Sequence, residues 1–266
     1  MAANPCQRRG PLHYNARVIP RFYAPALAPD LSSVTLPEDE AHHLVRVCRL
    51  AVGDAVRLFD GRGFEVLARV ADVGRRTVVA EVIRPVTAQA EPAVRVTVLL
   101  GVLRADRMDG AVRDATMLGV AEIRPVRSAH TAVPPRAVSG DRPLARWHRV
   151  AVSGAKQCGR AVVPAIAGVA SWRDALGAAL PPVRLLLVEP SAALAGGAAL
   201  EPLADPARAG GAALAIGPEG GWEPDEIALA EAAGFQAWSL GPLTLRADAV
   251  PVAALAVLHY AWARGD

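Results

Sequence analysis

Residues Ala212–Val250 read AALAIGPEGGWEPDEIALAEAAGFQAWSLGPLTLRADAV. Ala212–Ile216 is a short apolar run that stops at Gly217-Pro218, the pattern of a buried strand ending in a turn. Gly217, Gly220 and Gly221 leave room for another group to approach the backbone closely. Pro224-Asp225-Glu226 then opens a helix with Ile227, Leu229, Ala230 and Ala233 apolar and proline in its first turn. Gly234 is placed to end that helix. A second strand, Ala237–Leu240, runs into a second Gly-Pro loop at Gly241-Pro242. The reading sets the two strand ends side by side in a parallel sheet, and ligands of open α/β sheets bind beyond the carboxyl ends of the strands. One Gly-Pro after a strand is only a turn. A second copy, followed by Leu245-Arg246-Ala247-Asp248, argues for a site.

Working outward, residues 93–266 alternate strand and helix. Val94–Leu100, Glu122–Val126 and Val183–Val188 are strand-like, the last ending at Glu189-Pro190. Met108–Leu118, Arg142–Gly159, Trp172–Leu180 and Asp248–Ala263 are helical, with Ser171 as an N-cap and a further helix within Ser191–Gly211. Arg104–Arg107 reads as a basic loop and Arg127–Asp141 as a polar loop carrying His130. The alternation predicts a mostly parallel sheet in an α/β domain. Residues 21–86 differ. Ser33–Leu36, Ala55–Phe59, Phe64–Val70 and Thr77–Val82 are strand-like, and Pro37-Glu38-Asp39-Glu40 opens a short helix with His42, His43, Leu44 and Val47. Asp60-Gly61-Arg62-Gly63 and Gly74-Arg75-Arg76 mark turns, so this is a small β domain joined by the link 87–92. His42 and His43 suit capping or packing better than catalysis. Residues 1–20 are polar and basic and read as a disordered extension, with an RNA-binding tail as the alternative.

Composition sets bounds. A chain with 52% hydrophobic and 21% charged residues has ample material for a core and excludes disorder as a whole. The net charge of +3 is mild; of 29 basic residues only Lys156 is lysine, and arginine suits phosphate contacts. Cys6, Cys48 and Cys158 are scattered, which speaks against a disulfide framework or a zinc site. No run reaches membrane length and no signal peptide is apparent, so the expected location is the cytoplasm. No Gly-x-Gly-x-x-Gly follows a strand and there is no Walker loop, which counts against dinucleotide and ATP chemistry.

IGPEGGW and LGPLTLRADAVPVAAL (Leu240–Leu255) resemble the C-terminal signature of the RsmE family, ribosomal RNA uracil-N3 methyltransferases of the SPOUT class that use S-adenosylmethionine. Three further segments extend the resemblance in the family's order: HHLVRVCRLAVGDAVRLFDGRG (His42–Gly63), RADRMDGAVRDATMLGVAEIRPV (Arg104–Val126) and RWHRVAVSGAKQCGRAVVP (Arg146–Pro164). There are departures. Asp248 stands where the family commonly has Glu, Ala249-Val250 replaces Thr-Ala, and Asp114, Met117, Ser153 and Lys156 replace Lys, Glu, Glu and Glu.

The resemblance implies an α/β-knot, a parallel sheet with a deep trefoil knot, behind an N-terminal PUA-like β-barrel. It implies S-adenosylmethionine held by three loops: Val188, Glu189 and Pro190; Ile216, Gly217, Glu219, Gly220 and Gly221; and Leu240, Gly241 and Leu245. It implies RNA contacts from Arg46, Arg49, Arg62, Arg75 and Arg76 in the barrel, with Arg21, Arg104 and Arg107 as further candidates, and 16S ribosomal RNA or the small subunit as partner. No metal is needed, because a sulfonium is already an electrophile.

Uracil N3 carries a proton and is a poor nucleophile until it leaves. Asp248 is the first candidate to assist that loss, with a plain N-cap as its alternative role. Glu219 is the second, with capping of the Pro224 helix or ligand contact as its alternatives. Arg246, joined by Arg160, is the candidate for charge developing on the uracil carbonyls or for a phosphate. N3 lies on the pairing edge, so the base must be unpaired or flipped out. Another RNA acceptor, or a non-catalytic RNA-binding or assembly factor on the same fold, remain as rival readings. The apolar last helix, with Val252, Leu255, Val257, Leu258, Tyr260 and Trp262, predicts a homodimer through the C-terminal domain.

Overall fold

The computed structural model describes residues 19–190 and 210–262. The expected extension up to residue 18, the helix expected before Gly210 and the end of the last helix at Ala263 lie outside the described residues.

The N-terminal sheet holds β1 (Arg21–Tyr23), β2 (Ser33–Thr35), β3 (Ala55–Phe59), β4 (Glu65–Val73) and β5 (Val78–Val86) in the order β1-β3-β4-β5-β2. Only β1 and β3 run parallel. Register shifts at Leu67/Ala68 and Val70/Asp72 bend the long β4–β5 ladder, as an extra residue in one strand must. The sheet curls on one core that includes Phe22, Leu27, Leu44, Leu58 and Val66, all fully buried. Helix α1 (Glu38–His42) continues into a π-helical turn, His43–Val47, which closes one end. His43 packs edge-on against Phe22 at 6.0 Å. The Asp60–Gly63 turn forms as expected: Asp60 Oδ1 accepts from Arg62 N at 2.7 Å and Phe64 N at 2.9 Å, and Gly61 and Gly63 take positive φ.

The C-terminal sheet is parallel throughout. Its strands are β6 (Val96–Gly101), β7 (Glu122–Arg127), β8 (Ala165–Ile166), β9 (Ala170–Ser171), β10 (Val183–Leu187), β11 (Ala212–Ile216) and β12 (Gln236–Trp238), ordered β12-β10-β11-β6-β7-β8 with β9 also on β7. One expectation is corrected here. The strands closed by the two Gly-Pro loops are not neighbours, because β10 lies between β11 and β12. Side chains alternate across the sheet with period two. Val96, Val98, Leu100, Leu185, Leu187, Leu214 and Ile216 share a core with α2 (Ala105–Met117), α4 (Asp141–Cys158) and α7 (Val250–Trp262). Leu99, Leu186, Ala213 and Ala215 face the other way, toward α5 (Trp172–Gly177) and α6 (Pro224–Ala232). The small Ala213 and Ala215 leave that layer to Trp172 and Phe235. Ser171 caps α5, its Oγ accepting from Asp174 N, as expected. Gly234 follows α6 with φ +84°. The expected basic loop at Arg104–Arg107 is instead the first turn of α2, and the loop after β7 holds a short helix, α3 (Pro135–Val138).

The two sheets are joined through the C-terminal end of α4. Arg21 donates to Glu65 at 2.9 and 3.0 Å and to the carbonyls of Ala155, Lys156 and Arg160 at 3.0–3.3 Å. Arg57 Nε lies 2.8 Å from the same Glu65 but out of line for a hydrogen bond, so it adds charge only. Lys156 reaches Glu40 across the joint at 2.8 and 2.9 Å. Gly61 O accepts from Val163 N at 2.9 Å, and Gly63 N donates to Ala161 O at 3.2 Å. Burial pushes the Tyr23 phenol up, opposed by Arg62 and aided by Asp60.

Candidate active site

In a parallel sheet every strand ends on the same side, so the loops leaving β10, β11 and β12 converge. They enclose a cavity of about 530 Å³ whose walls are Leu187–Pro190, Ile216–Trp222, Ser239–Leu240 and Leu243–Ala247, with Arg107, Ile227 and Val250. That volume suits a small organic ligand. Val188, Glu189, Pro190, Ile216, Gly217, Glu219, Gly220, Gly221, Leu240 and Leu245 are thereby brought together as expected. Gly241 is not a wall residue; it is exposed, at φ +145°, and an added Cβ would meet nothing within 4 Å. Its role is to turn the third loop through a conformation that other residues resist.

Trp222 locks the first two loops together. Its indole N–H donates to Leu187 O at 3.1 Å, and its ring lies 4.4 Å from that of Trp172. A Cβ on Gly217 would sit 3.2 Å from the Trp222 ring. A Cβ on Gly220 would sit 2.7 Å from that of His130, so the loop after β7 packs directly on this turn. Glu226 accepts from Ala129 N at 2.8 Å and fixes the same contact. Glu223 and Glu226 form a reciprocal capping box at the start of α6. Glu219 therefore does not cap this helix, the first of its alternative roles.

The sequence reading missed Gly101. At the end of β6, a Cβ there would run into Pro218 N and lie 2.7 Å from Gly217 C. Only a glycine lets β6 support this turn, but no local motif marks it. Trp222 was part of the matched motif without a role; its position after two glycines was the available signal.

The charged candidates separate. Glu219 and Arg107 both line the cavity, 3.3 Å apart, and Glu219 Oε1 also accepts from Arg104 N at 3.3 Å. Arg246 lines the cavity but is paired in two-pronged fashion with Asp248, at 3.1 and 2.7 Å. Asp248 is not a wall residue, and α7 begins only at Val250, so its geometry is that of a partner to Arg246 and not of an N-cap. Arg160 stands apart from the cavity walls. It is buried, bonded to Glu91 at 2.9 Å and to Thr116 O at 3.0 Å, and holds the interdomain link against α2. Its expected place beside Arg246 is corrected accordingly.

The arginines expected to meet RNA also divide. Arg21 is spent inside the joint described above, which leaves no room for a phosphate. Arg62 is exposed but tied to Asp60, Pro25 O and Leu27 O, and Arg76 pairs with Glu38 at 2.7 Å. Arg46, Arg49 and Arg75 are exposed, with no side-chain partner among the described residues. Arg49 also holds φ +55°, a conformation that costs a non-glycine residue energy. Arg104 is exposed at the rim beside Glu219. Among the described residues no cluster of His, Cys, Asp and Glu is gathered to hold a metal, and no helix is long and apolar enough to cross a membrane.

Comparison with known proteins agrees with this geometry. Residues 90–259 match an RNA methyltransferase domain family and residues 36–83 an RNA methyltransferase PUA domain family. The ribosomal RNA small subunit methyltransferase E of Mycobacterium bovis is 33% identical over 257 residues, covering 91% of this chain and 92% of the relative. That of Synechocystis is 32% identical over 230 residues, 86% of this chain and 73% of the relative. A crystal structure of the Neisseria gonorrhoeae ribosomal RNA small subunit methyltransferase E bound to S-adenosyl methionine superposes with a TM-score of 0.80 at 32% identity, over 92% of this chain and 98% of that one. With both sheets, the three-loop cavity and the matched segments in the same order, the chain belongs to the ribosomal RNA small subunit methyltransferase E family.

Proposed function

We propose that the protein transfers a methyl group from S-adenosylmethionine to N3 of a uridine in 16S ribosomal RNA, acting as a homodimer in the cytoplasm. The observation that carries this reading is the cavity made jointly by the ends of β10, β11 and β12 in a chain of this family. The residues fit the cofactor. Apolar walls from Leu187, Ile216 and Leu245 accept its uncharged parts, backbone groups of the glycine turns can read an adenine edge, and Glu189 complements a sulfonium. When bound, the cofactor supplies an electrophilic methyl carbon. The chain's own work is to hold it, to exclude water, and to bring a nucleobase edge to the open side in line for transfer.

The family departures bear on the non-catalytic alternative. Asp114, Met117, Ser153 and Lys156 are all absent from the cavity walls. Lys156 pairs with Glu40, and Asp114 with Arg113. These four changes therefore leave the cavity untouched, which favours an active enzyme; of the other departures only Val250 is on the wall, where it adds an apolar side chain. Arg46, Arg49 and Arg75 remain the barrel's candidates for phosphate contact, with Arg104 at the cavity rim.

The homodimer rests on less apolar surface than the sequence suggested. Leu255, Leu258 and Trp262 are buried in the chain's own core, so Val257 and Tyr260 on α7, with Met117 on α2, supply the exposed apolar face. The test of the function is methyl transfer to small-subunit RNA with the product nucleoside identified. Incorporation of 3-methyluridine is the expected result, and a ribose-methylated nucleoside would redirect the assignment.

A further inference from the structure

Two carboxylates stand beside the second and third loops, and their surroundings differ. Asp248 lies off the cavity wall with both oxygens held by Arg246. Glu219 is on the wall. Its Oε1 takes two long bonds of 3.3 Å, from Arg104 N and Arg107 Nη1, while its Oε2 is enclosed by protein without any hydrogen-bond partner. A buried acceptor without a donor is destabilised, and an arriving N–H relieves it. The terminal torsion of a glutamate is soft, so either oxygen can turn to the cavity when that donor comes. Arg107 reaches the same wall from the first turn of α2 and spends only one donor, at long range, on Glu219.

Once the carboxylate turns, the site presents an acceptor with an open lone pair beside a guanidinium with open donors. A ring N–H flanked by carbonyls is the matching ligand edge: the carboxylate takes the N–H, and the guanidinium serves the carbonyl on which charge develops.

We propose that Glu219 is the proton acceptor and Arg107 the charge stabiliser of methyl transfer, and that Arg246–Asp248 is a closed pair with neither role. The assignment rests on uracil N3 as the acceptor atom. The N3–H bond breaks toward Glu219. The electron pair left on N3 forms the bond to the methyl carbon, and the methyl–sulfur bond breaks with its pair staying on sulfur, which turns a sulfonium into a neutral thioether. Glu219 then gives its proton to water.

The test uses the full-length protein, S-adenosylmethionine and small-subunit RNA, with cofactor affinity by calorimetry and single-turnover rates across pH. Glu219→Gln should bind the cofactor within about threefold of wild type and lose about a hundredfold or more in rate at neutral pH. That loss should shrink by about tenfold per pH unit as the uracil ionises without help. Glu219→Asp keeps a shorter base, so it should show a reduced rate on the wild-type pH profile. Arg107→Ala should keep cofactor affinity and lose rate by about a hundredfold. Asp248→Asn should keep the wild-type pH profile, as expected of a group with no share in the proton transfer. A fully active Glu219→Gln, a cofactor affinity that falls as far as its rate, or a large loss confined to Asp248→Asn each overturns the proposal. If the wild-type product is methylated elsewhere than N3, the product analysis shows it directly, and it is the functional reading that fails.

Discussion

Lys156→Glu restores the family's commoner residue at the joint between the two sheets, and here it should destabilise. Lys156 Nζ lies 2.9 and 2.8 Å from the oxygens of Glu40, and the two side chains are 18% and 9% exposed. The ammonium also sits 5.2 Å over the Phe22 ring. The substitution leaves Glu40 with only Tyr23 N, at 3.2 Å, and places a second carboxylate against it. Breaking a fully buried ion pair costs about 3–5 kcal/mol, and the partial exposure of Lys156 brings the expected cost to about 3 kcal/mol. For a chain of this size that is a fall of about 6–12 °C in Tm. Calorimetric melting of Lys156→Glu, Glu40→Lys and the reversed pair together is the assay. The double variant should regain at least half of the loss, and cofactor affinity should not change, since Lys156 is off the cavity wall. A single variant melting within about 1 °C of wild type, or a double variant no better than the worse single, would refute the latch.

Other expectations follow from the same geometry. Gly101→Val should lower cofactor affinity by about tenfold or more, measured by calorimetry, because its side chain displaces the Gly217-Pro218 turn, whereas the exposed φ +145° of Gly241 makes Gly241→Ala a milder, conformational loss. Val257→Arg with Tyr260→Glu should shift the sedimentation coefficient toward a monomer at micromolar concentration; a wild-type chain that is already monomeric there sinks the dimer. RNA affinity should fall steeply with salt, and removing Arg46, Arg49 and Arg75 together should flatten the slope of log K against log salt by about two to three units. An unchanged slope removes these residues from the RNA contacts.

The local half of this architecture was legible in the sequence. The Gly217-Pro218 turn, the Pro224 helix ending before Gly234, the Ser171 cap and the Asp60–Gly63 turn each carry their reason within a few residues. What failed was non-local. That β10 separates β11 from β12 is a matter of which distant strands pair, and the apolar runs are alike enough not to specify it. Arg21 looked free because its partners, Glu65 and three carbonyls, lie 44 to 139 residues away, and the departure at Lys156 showed no partner because Glu40 is 116 residues away. Asp248 is two residues from Arg246, and spacing alone does not show that the arginine folds back onto it. The start of α2 was missed because Arg104 makes no side-chain cap.

The most direct test of the account is the identity of the methylated nucleoside. Small-subunit particles and their RNA, taken from cells lacking the protein, would be incubated with the purified chain and labelled S-adenosylmethionine, digested to nucleosides and resolved by mass spectrometry. The account predicts label in 3-methyluridine, at one site per RNA, and none when S-adenosylmethionine binding is abolished. Label in a ribose 2′-O-methyl group or on another base, or no label in either substrate, would contradict it.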